Sequence, residues 1–170
     1  EGRNWSMAGG LDGDGFYAGR LDLFNNVVYN WRGRTTDGGA HEVNFVNNYY
    51  KRGPVGGITT LLNPQYGGFP GTQQYYMVGN ILQDGSTLQT NQSALFDLRT
   101  ENGGTLPQNS SPPYSATVNA PFFPSHATIH SATNAYKQVL SDSGCNLPMV
   151  DDRDARIVTE TLAGSHTYSG

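Results

Sequence analysis

An all-β chain built as a parallel β-helix is predicted by three observations: a stretch of sequence that repeats, apolar alternation inside each copy, and an asparagine at one fixed place in every copy. Leu21-Asp22-Leu23-Phe24-Asn25-Asn26-Val27-Val28-Tyr29 superposes on Val43-Asn44-Phe45-Val46-Asn47-Asn48-Tyr49-Tyr50-Lys51 at an offset of 22 residues, apolar on apolar and Asn-Asn on Asn-Asn. A third copy, Tyr75-Tyr76-Met77-Val78-Gly79-Asn80-Ile81-Leu82, follows after a longer interval, and the excess falls in the Gly- and Pro-containing loop 53–74. Fixed periods of roughly 20 to 50 residues are the signature of solenoids, in which each repeat packs on its neighbours.

Within each copy the pairs Leu21/Leu23 and Val43/Phe45 alternate with period two, and a second apolar stretch follows the asparagines. Each copy therefore reads as strand, tight bend, strand. Equivalent residues of stacked coils lie about 4.8 Å apart. That spacing predicts a ladder of Asn26, Asn48 and Asn80, each carboxamide donating to the next at an interior bend. The simpler account, that asparagine favours turns, leaves the aligned apolar flanks unexplained.

The coils are expected over residues 1–82. From 83–130 the pattern dissolves into Ser, Asn, Pro and Gly, which predicts a long extended loop lying over the coils, anchored by Leu95, Phe96, Leu98, Phe122 and Phe123. Residues 131–170 carry helix signals. Ser131 or Thr133 is placed to cap a helix whose Ala132, Ala135, Tyr136, Val139 and Leu140 share one face, ending near Gly144. Asp151 or Asp152 is placed to cap a second, with Ala155, Ile157, Val158 and Leu162 inward and Gly164 as its stop.

Composition narrows the partners. The net charge is −4 and only 14% of residues are charged, against roughly 25% in an average soluble protein, so a nucleic-acid partner is disfavoured. The single Cys145 has no partner for an internal disulfide, and no apolar run is long enough for a membrane helix. The chain opens on Glu1 with neither a Met nor an apolar leader, so the natural start is expected to lie upstream. Acceptor sequons stand at Asn4, Asn91 and Asn109. Asp12-Gly13-Asp14-Gly15 looks like a calcium loop, yet Leu23 stands where an EF-hand needs its acidic twelfth residue, so a turn is expected. His126 and His130 share i, i+4 spacing but lack a third ligand nearby for zinc.

The phrases Asn25-Asn26-Val27-Val28-Tyr29-Asn30-Trp31 and Val46-Asn47-Asn48-Tyr49-Tyr50-Lys51-Arg52-Gly53-Pro54 resemble adjacent coils of polysaccharide lyase family 1, the pectate lyases. The tail, Ala135-Tyr136-Lys137-Gln138-Val139-Leu140, Gly144-Cys145-Asn146-Leu147-Pro148 and Asp151 to Leu162, is similar to the same family's longer members. The resemblance covers nearly the whole chain and implies the later part of a right-handed parallel β-helix from a secreted protein acting on polygalacturonate. Its arginine motif falls on Gly2-Arg3-Asn4-Trp5-Ser6-Met7-Ala8-Gly9-Gly10. Arg3 takes the place of the base that removes the C5 proton of galacturonate, Trp5 stands at the motif's proline, and Ala8 at its second, substrate-binding arginine. The intact family member is expected to use Ca²⁺, whose aspartate ligands lie upstream of this motif and so outside this chain.

β-Elimination needs a cation beside the uronate carboxylate, a base and a proton for the leaving oxygen. An arginine base is unusual, because a pKa above about 12 leaves on the order of 10⁻⁵ or less of it neutral at pH 7. Neighbouring cations and alkaline pH make it workable. Four of the ten basic residues, Arg32, Arg34, Lys51 and Arg52, lie at the ends of adjacent coils. Arg34, Lys51 and Arg52 are expected as contacts to substrate carboxylates; pairing with Asp37 or Glu42 is the alternative use of such charges. His41 and the tyrosines Tyr49, Tyr50, Tyr75 and Tyr76 have the chemistry to stack on sugars, with core packing the more economical role for most. A non-catalytic solenoid that binds polysaccharide or serves a structural role is the rival reading. A second chain carrying the upstream coils is the further expected partner, since an open coil end exposes unpaired strand edges.

Overall fold

The computed structural model describes residues 4–8, 13–144 and 146–168, and of Ala8 only the backbone. Arg3 and Cys145 fall outside the described residues. Strands arrive in threes: β1 (Trp5–Ala8), β2 (Arg20–Phe24) and β3 (Val27–Tyr29); β4 (Thr36–Gly39), β5 (Glu42–Val46) and β6 (Tyr49–Lys51); β7 (Leu62–Tyr66), β8 (Gln74–Val78) and β9 (Ile81–Asp84). β10 (Thr87–Gln89), β11 (Arg99–Thr100) and β12 (Thr117–Val118) follow. They form three four-stranded sheets in the orders β1-β4-β7-β11, β12-β8-β5-β2 and β10-β9-β6-β3. Every pairing is parallel except β10 on β9. The fold is all-β in its sheets and β-helix-like, with two short helices, α1 (Ala132–Asp142) and α2 (Asp152–Ala163), at the end.

The registers carry the repeat. Leu21 pairs Val43 and Val43 pairs Tyr75, Leu23 pairs Phe45 and Phe45 pairs Met77, and Tyr49 joins Val27 to Ile81. Between the second and third sheets sits the predicted ladder. Asn26 Nδ2 donates to Asn48 Oδ1 at 2.8 Å across 22 residues, and Asn48 Nδ2 to Asn80 Oδ1 at 3.0 Å across 32. Asn48 and Asn80 are fully buried, where an unpaired carboxamide is costly. The residue before each rung turns the chain in the left-handed region: Asn25 at φ 56°, Asn47 at 53° and Gly79 at 67°. Asparagine tolerates that region and glycine enters it freely. Gly79 has a second reason, because a Cβ there would land on Asn47 Oδ1.

Side chains inside the three sheets form one core around Trp31, Phe45, Tyr50, Leu61, Leu62, Tyr66 and Tyr75. The first sheet escaped sequence analysis, since Thr36-Asp37-Gly38-Gly39 and Leu62-Asn63-Pro64-Gln65-Tyr66 show no clean apolar alternation. Pairing on both sides, not propensity, makes β4 and β7 strands. Residues 83–130 hold β10 to β12, too short to read as strands, and Leu95, Phe96 and Leu98 pack on the core as expected.

The tyrosine hydroxyls in the core set an alkaline limit. Burial raises Tyr50, Tyr66 and Tyr75 above their usual 10.0. Folded-state values above the unfolded value mean that the stability is fully present below pH 10 and is lost as pH rises beyond it, because the unfolded chain releases protons that the folded one keeps. Each such tyrosine is expected to remove about 1.4 kcal/mol per pH unit above 10. Urea midpoints measured from pH 8 to 11 check this: a flat profile through pH 11 contradicts it.

In the tail, Ser131 caps α1 and Asp151 caps α2, each accepting from the backbone three residues on, and Gly164 ends α2 at φ 70°. One expectation is corrected. Ala155, Ile157 and Leu162 are exposed instead of inward, the last two by 51% and 57%, and α2 buries Thr161, whose hydroxyl is satisfied by Ile157 O at 2.7 Å. Just beyond the helix, Tyr29 Oη donates to Ser165 O at 2.7 Å.

Candidate functional site

Of the basic residues Arg32, Arg34, Lys51 and Arg52, the last three go to separate partners. Arg34, in the turn leading into β4, sets Nη1 2.9 Å from Asp37 Oδ2; the Asp37 side chain is fully buried and that of Arg34 is 31% exposed. Arg52 follows β6 and gives Nη1 to Asp84 Oδ2 at 2.7 Å and Nη2 to Gly56 O at 3.1 Å. Lys51 is the last residue of β6, and its ammonium donates to Leu162 O at 3.0 Å and Tyr136 Oη at 3.3 Å. It thus sits on the carbonyl end of α2, where the helix dipole favours a cation. Tyr136 also stacks on Tyr49 with centroids 4.5 Å apart, and burial, aided by Tyr136, raises the Tyr49 hydroxyl above its usual value. Arg32 is exposed. The sequence reading offered both uses for these charges, and Arg34 takes the ion pair with Asp37 while remaining open to solvent.

The turn that holds Arg34 is tied down by local hydrogen bonds. Thr35 Oγ1 donates to Thr60 O at 2.7 Å and lies 3.0 Å from Asn63 Oδ1, while Asn63 Nδ2 donates to Thr60 Oγ1 at 2.6 Å. Thr36 Oγ1 meets the Tyr50 hydroxyl in the core at 2.5 Å. β1 lies alongside this turn: Trp5 pairs Thr36 and Ser6 pairs Asp37, and Asn4 N donates to Thr35 O at 3.2 Å. An arginine fork has five N–H donors, so a guanidinium fixed through one nitrogen keeps others for an outside carboxylate or hydroxyl.

Of the expected site residues, Arg3 lies outside the described residues, and Arg34, Lys51 and Arg52 are placed as above. Among the aromatic candidates, Tyr49, Tyr50 and Tyr75 are buried and His41 Nδ1 is tied to Thr72 O at 2.9 Å. Among the described residues, no group of three or more His, Cys, Asp or Glu side chains is arranged to hold a metal ion. No helix among them is long and apolar enough to cross a membrane.

No family model matches this chain, and no curated protein matches it.

One set of polar residues carried no sequence signal beyond its turn role. Asn44 Nδ2 donates to Phe123 O at 3.2 Å while its Oδ1 accepts from Phe122 N at 3.1 Å. Asn25 does the same with Thr128 O at 2.9 Å and His130 N at 3.0 Å, and Asn47 Nδ2 reaches His130 O at 2.7 Å. These carboxamides hold the covering segment across the outer side of β2 and β5. A carboxamide offers a donor and an acceptor side by side, as a peptide group does. Only the repeat of Asn25 at Asn47 hints at this in the sequence.

Proposed function

We propose that this chain is the later part of a right-handed parallel β-helix resembling the pectate lyases, and that it engages polygalacturonate at the arginine-bearing edge of β1 and β4. The observation that carries the reading is the anchored, part-exposed guanidinium of Arg34, backed by a buried carboxylate and facing solvent. Arg3 precedes Trp5 in the chain by the same interval at which Arg34 precedes Thr36, and Trp5 and Thr36 are register partners. Arg34 is the member of the cationic set best disposed for substrate, because Lys51 and Arg52 would first have to leave Leu162 O, Tyr136 and Asp84. In a secreted lyase, Arg3 would take the C5 proton of a galacturonate unit, the C4–O bond would break as the C4=C5 double bond forms, and water would protonate the leaving oxygen. Ca²⁺ for the intact family member would be held, as the resemblance implies, by aspartates upstream of the arginine motif. A second chain with further coils is a partner consistent with this reading.

The second reading, a polysaccharide-binding β-solenoid without turnover, is favoured by Trp5 and Ala8 at the motif's proline and second arginine. Both are tested together. The chain is titrated with polygalacturonate at low and high salt, and ultraviolet absorbance follows the unsaturated product with Ca²⁺ added. Arg34→Lys keeps a cation for Asp37 but loses the planar fork, and is expected to weaken binding about 3- to 10-fold at low salt, in keeping with roughly 1 kcal/mol for a part-exposed charge. Product that vanishes with Arg3→Lys supports the lyase reading; binding without product supports the second. Absence of binding by the folded chain at any salt concentration removes both.

A further inference from the structure

Side chains at paired positions of neighbouring strands form rows, and several core rows end at one place. Thr117 follows Val43 and Tyr75, Met77 follows Leu23 and Phe45, and Phe96 follows Thr36 and Leu62. Leu98 precedes Arg99 as Pro64 precedes Gln65, the register partner of Arg99. Met77, Phe96 and Leu98 pack on the core yet stay half-buried, and the Phe96 ring lies 5.6 Å from that of Tyr75. Beyond them the structure opens into a cavity of about 450 Å³, within the roughly 300–1,000 Å³ of small-molecule sites.

The lining divides by chemistry. Half-buried Met77, Phe96 and Leu98 supply an apolar floor, while Gln108, Thr117 and Asn119 line the cavity from exposed positions. The side chains of these three bond no described residue, whereas the carboxamide of Gln92, also at the cavity, is spent on Asn80 and Thr90. Among the described residues no charged side chain lines the space. A carboxamide offers a donor and an acceptor side by side, which matches two neighbouring hydroxyls. A floor of aromatic and aliphatic carbon suits C–H groups. A carboxylate placed here would lose water without gaining a cation.

We infer that this cavity is a binding site for an uncharged sugar unit, seated with a C–H face on Met77, Phe96 and Leu98 and its hydroxyls turned to Gln108, Thr117 and Asn119. The ligand class follows from the division of the lining: a ring with one apolar face and a rim of hydroxyls meets both halves, and a uronate meets neither a cation nor bulk water. The site borders β12 and the segment leading into β11, away from Arg34 beside β1 and β4. It draws on none of the cations of the polygalacturonate reading and stands or falls independently of it.

The test uses the full chain with isotope-labelled methionine methyl groups, read by nuclear magnetic resonance. Met7 lies in β1 and Met149 between α1 and α2, so both serve as internal references for Met77. Galactose, glucose and arabinose are titrated, each free and as a disaccharide, with galacturonate as the charged counterpart. At least one neutral sugar is expected to shift Met77 alone, with a dissociation constant of about 1–20 mM. Galacturonate is expected to bind at least about tenfold more weakly, at low and at high salt. Gln108→Ala, Asn119→Ala and Thr117→Val are each expected to weaken the sugar about 3- to 10-fold. All three positions are exposed, and their thermal midpoints are expected within about 2 °C of the parent. The inference is overturned by a Met77 signal that no neutral sugar moves up to about 100 mM, by three methionines that shift alike, by galacturonate binding as tightly as the neutral sugars, or by folded variants that all bind like the parent. A Met77 shift that follows protein concentration without sugar also overturns it, and makes a second copy the occupant.

Discussion

Asn48→Ala is expected to destabilise the fold by about 4–6 kcal/mol, a large share of the roughly 5–15 kcal/mol that holds an ordinary domain together. The Asn48 side chain is fully buried and makes four hydrogen bonds at once, to three residues. Its oxygen accepts from Asn26 N and Asn26 Nδ2, and its nitrogen donates to Leu23 O and Asn80 Oδ1. Truncation leaves the two Asn26 donors and Leu23 O without that partner, at about 1–3 kcal/mol for each buried group. Asn80 Oδ1 keeps the backbone N–H of residue 48 and suffers less. Asn26→Ala is the internal control. Asn48 Oδ1 retains Asn26 N, and Asn26 is only half-buried, so about 1–2 kcal/mol is expected. Urea denaturation of both variants decides the matter; equal losses would mean that the ladder is not a connected device.

Trp31→Ala is expected to cost about 3–5 kcal/mol, the range for an emptied aromatic site in a core. The indole has no solvent exposure, stands edge-on to Tyr50 with centroids 5.8 Å apart, and donates Nε1 to Ile58 O at 2.8 Å. Its place depends on Gly57. A Cβ at that position would stand 2.6 Å from Trp31 Nε1 and from Trp31 O, the second a backbone atom with no room to move aside. Gly57→Ala should therefore reproduce much of the loss with Trp31 itself unchanged, by crowding the indole from outside. Trp31→Phe, which keeps most of the volume, should cost about half as much as alanine. Thermal unfolding of the three variants gives the ranking, and a Gly57→Ala variant as stable as the parent would show that the loop 53–57 yields freely.

The second and third sheets were legible because their chemistry is periodic. Leu21 and Leu23 against Val43 and Phe45, and Asn26 against Asn48 and Asn80, announce both strand registers and the ladder. β4 and β7 were not, since Thr36, Asp37, Asn63 and Pro64 are strand residues by virtue of their neighbours on both sides. The caps Ser131 and Asp151 were readable from local rules, whereas the orientation of α2 was not. Thr161 is buried with its hydroxyl bonded within its own helix, a polar group inward where Ile157 and Leu162 carried the apolar signal. At the site, the sequence located the basic cluster but not its division. Whether Lys51 meets substrate or the end of α2 depends on a contact across 111 residues that no local pattern encodes.

The clasp made by Asn25, Asn44 and Asn47 distributes mutational tolerance unevenly. On one side of each bond stands a particular side chain; on the other stand only main-chain atoms of Phe122, Phe123, Thr128 and His130. Replacing any of the three asparagines removes a bond outright. A substitution at Thr128 or His130 leaves the same carbonyls and N–H groups in place, provided the new residue is not proline. The overlying strip is thus free to drift in composition while its seat is held constant, and variation that accumulates there changes the outer surface without unfastening it.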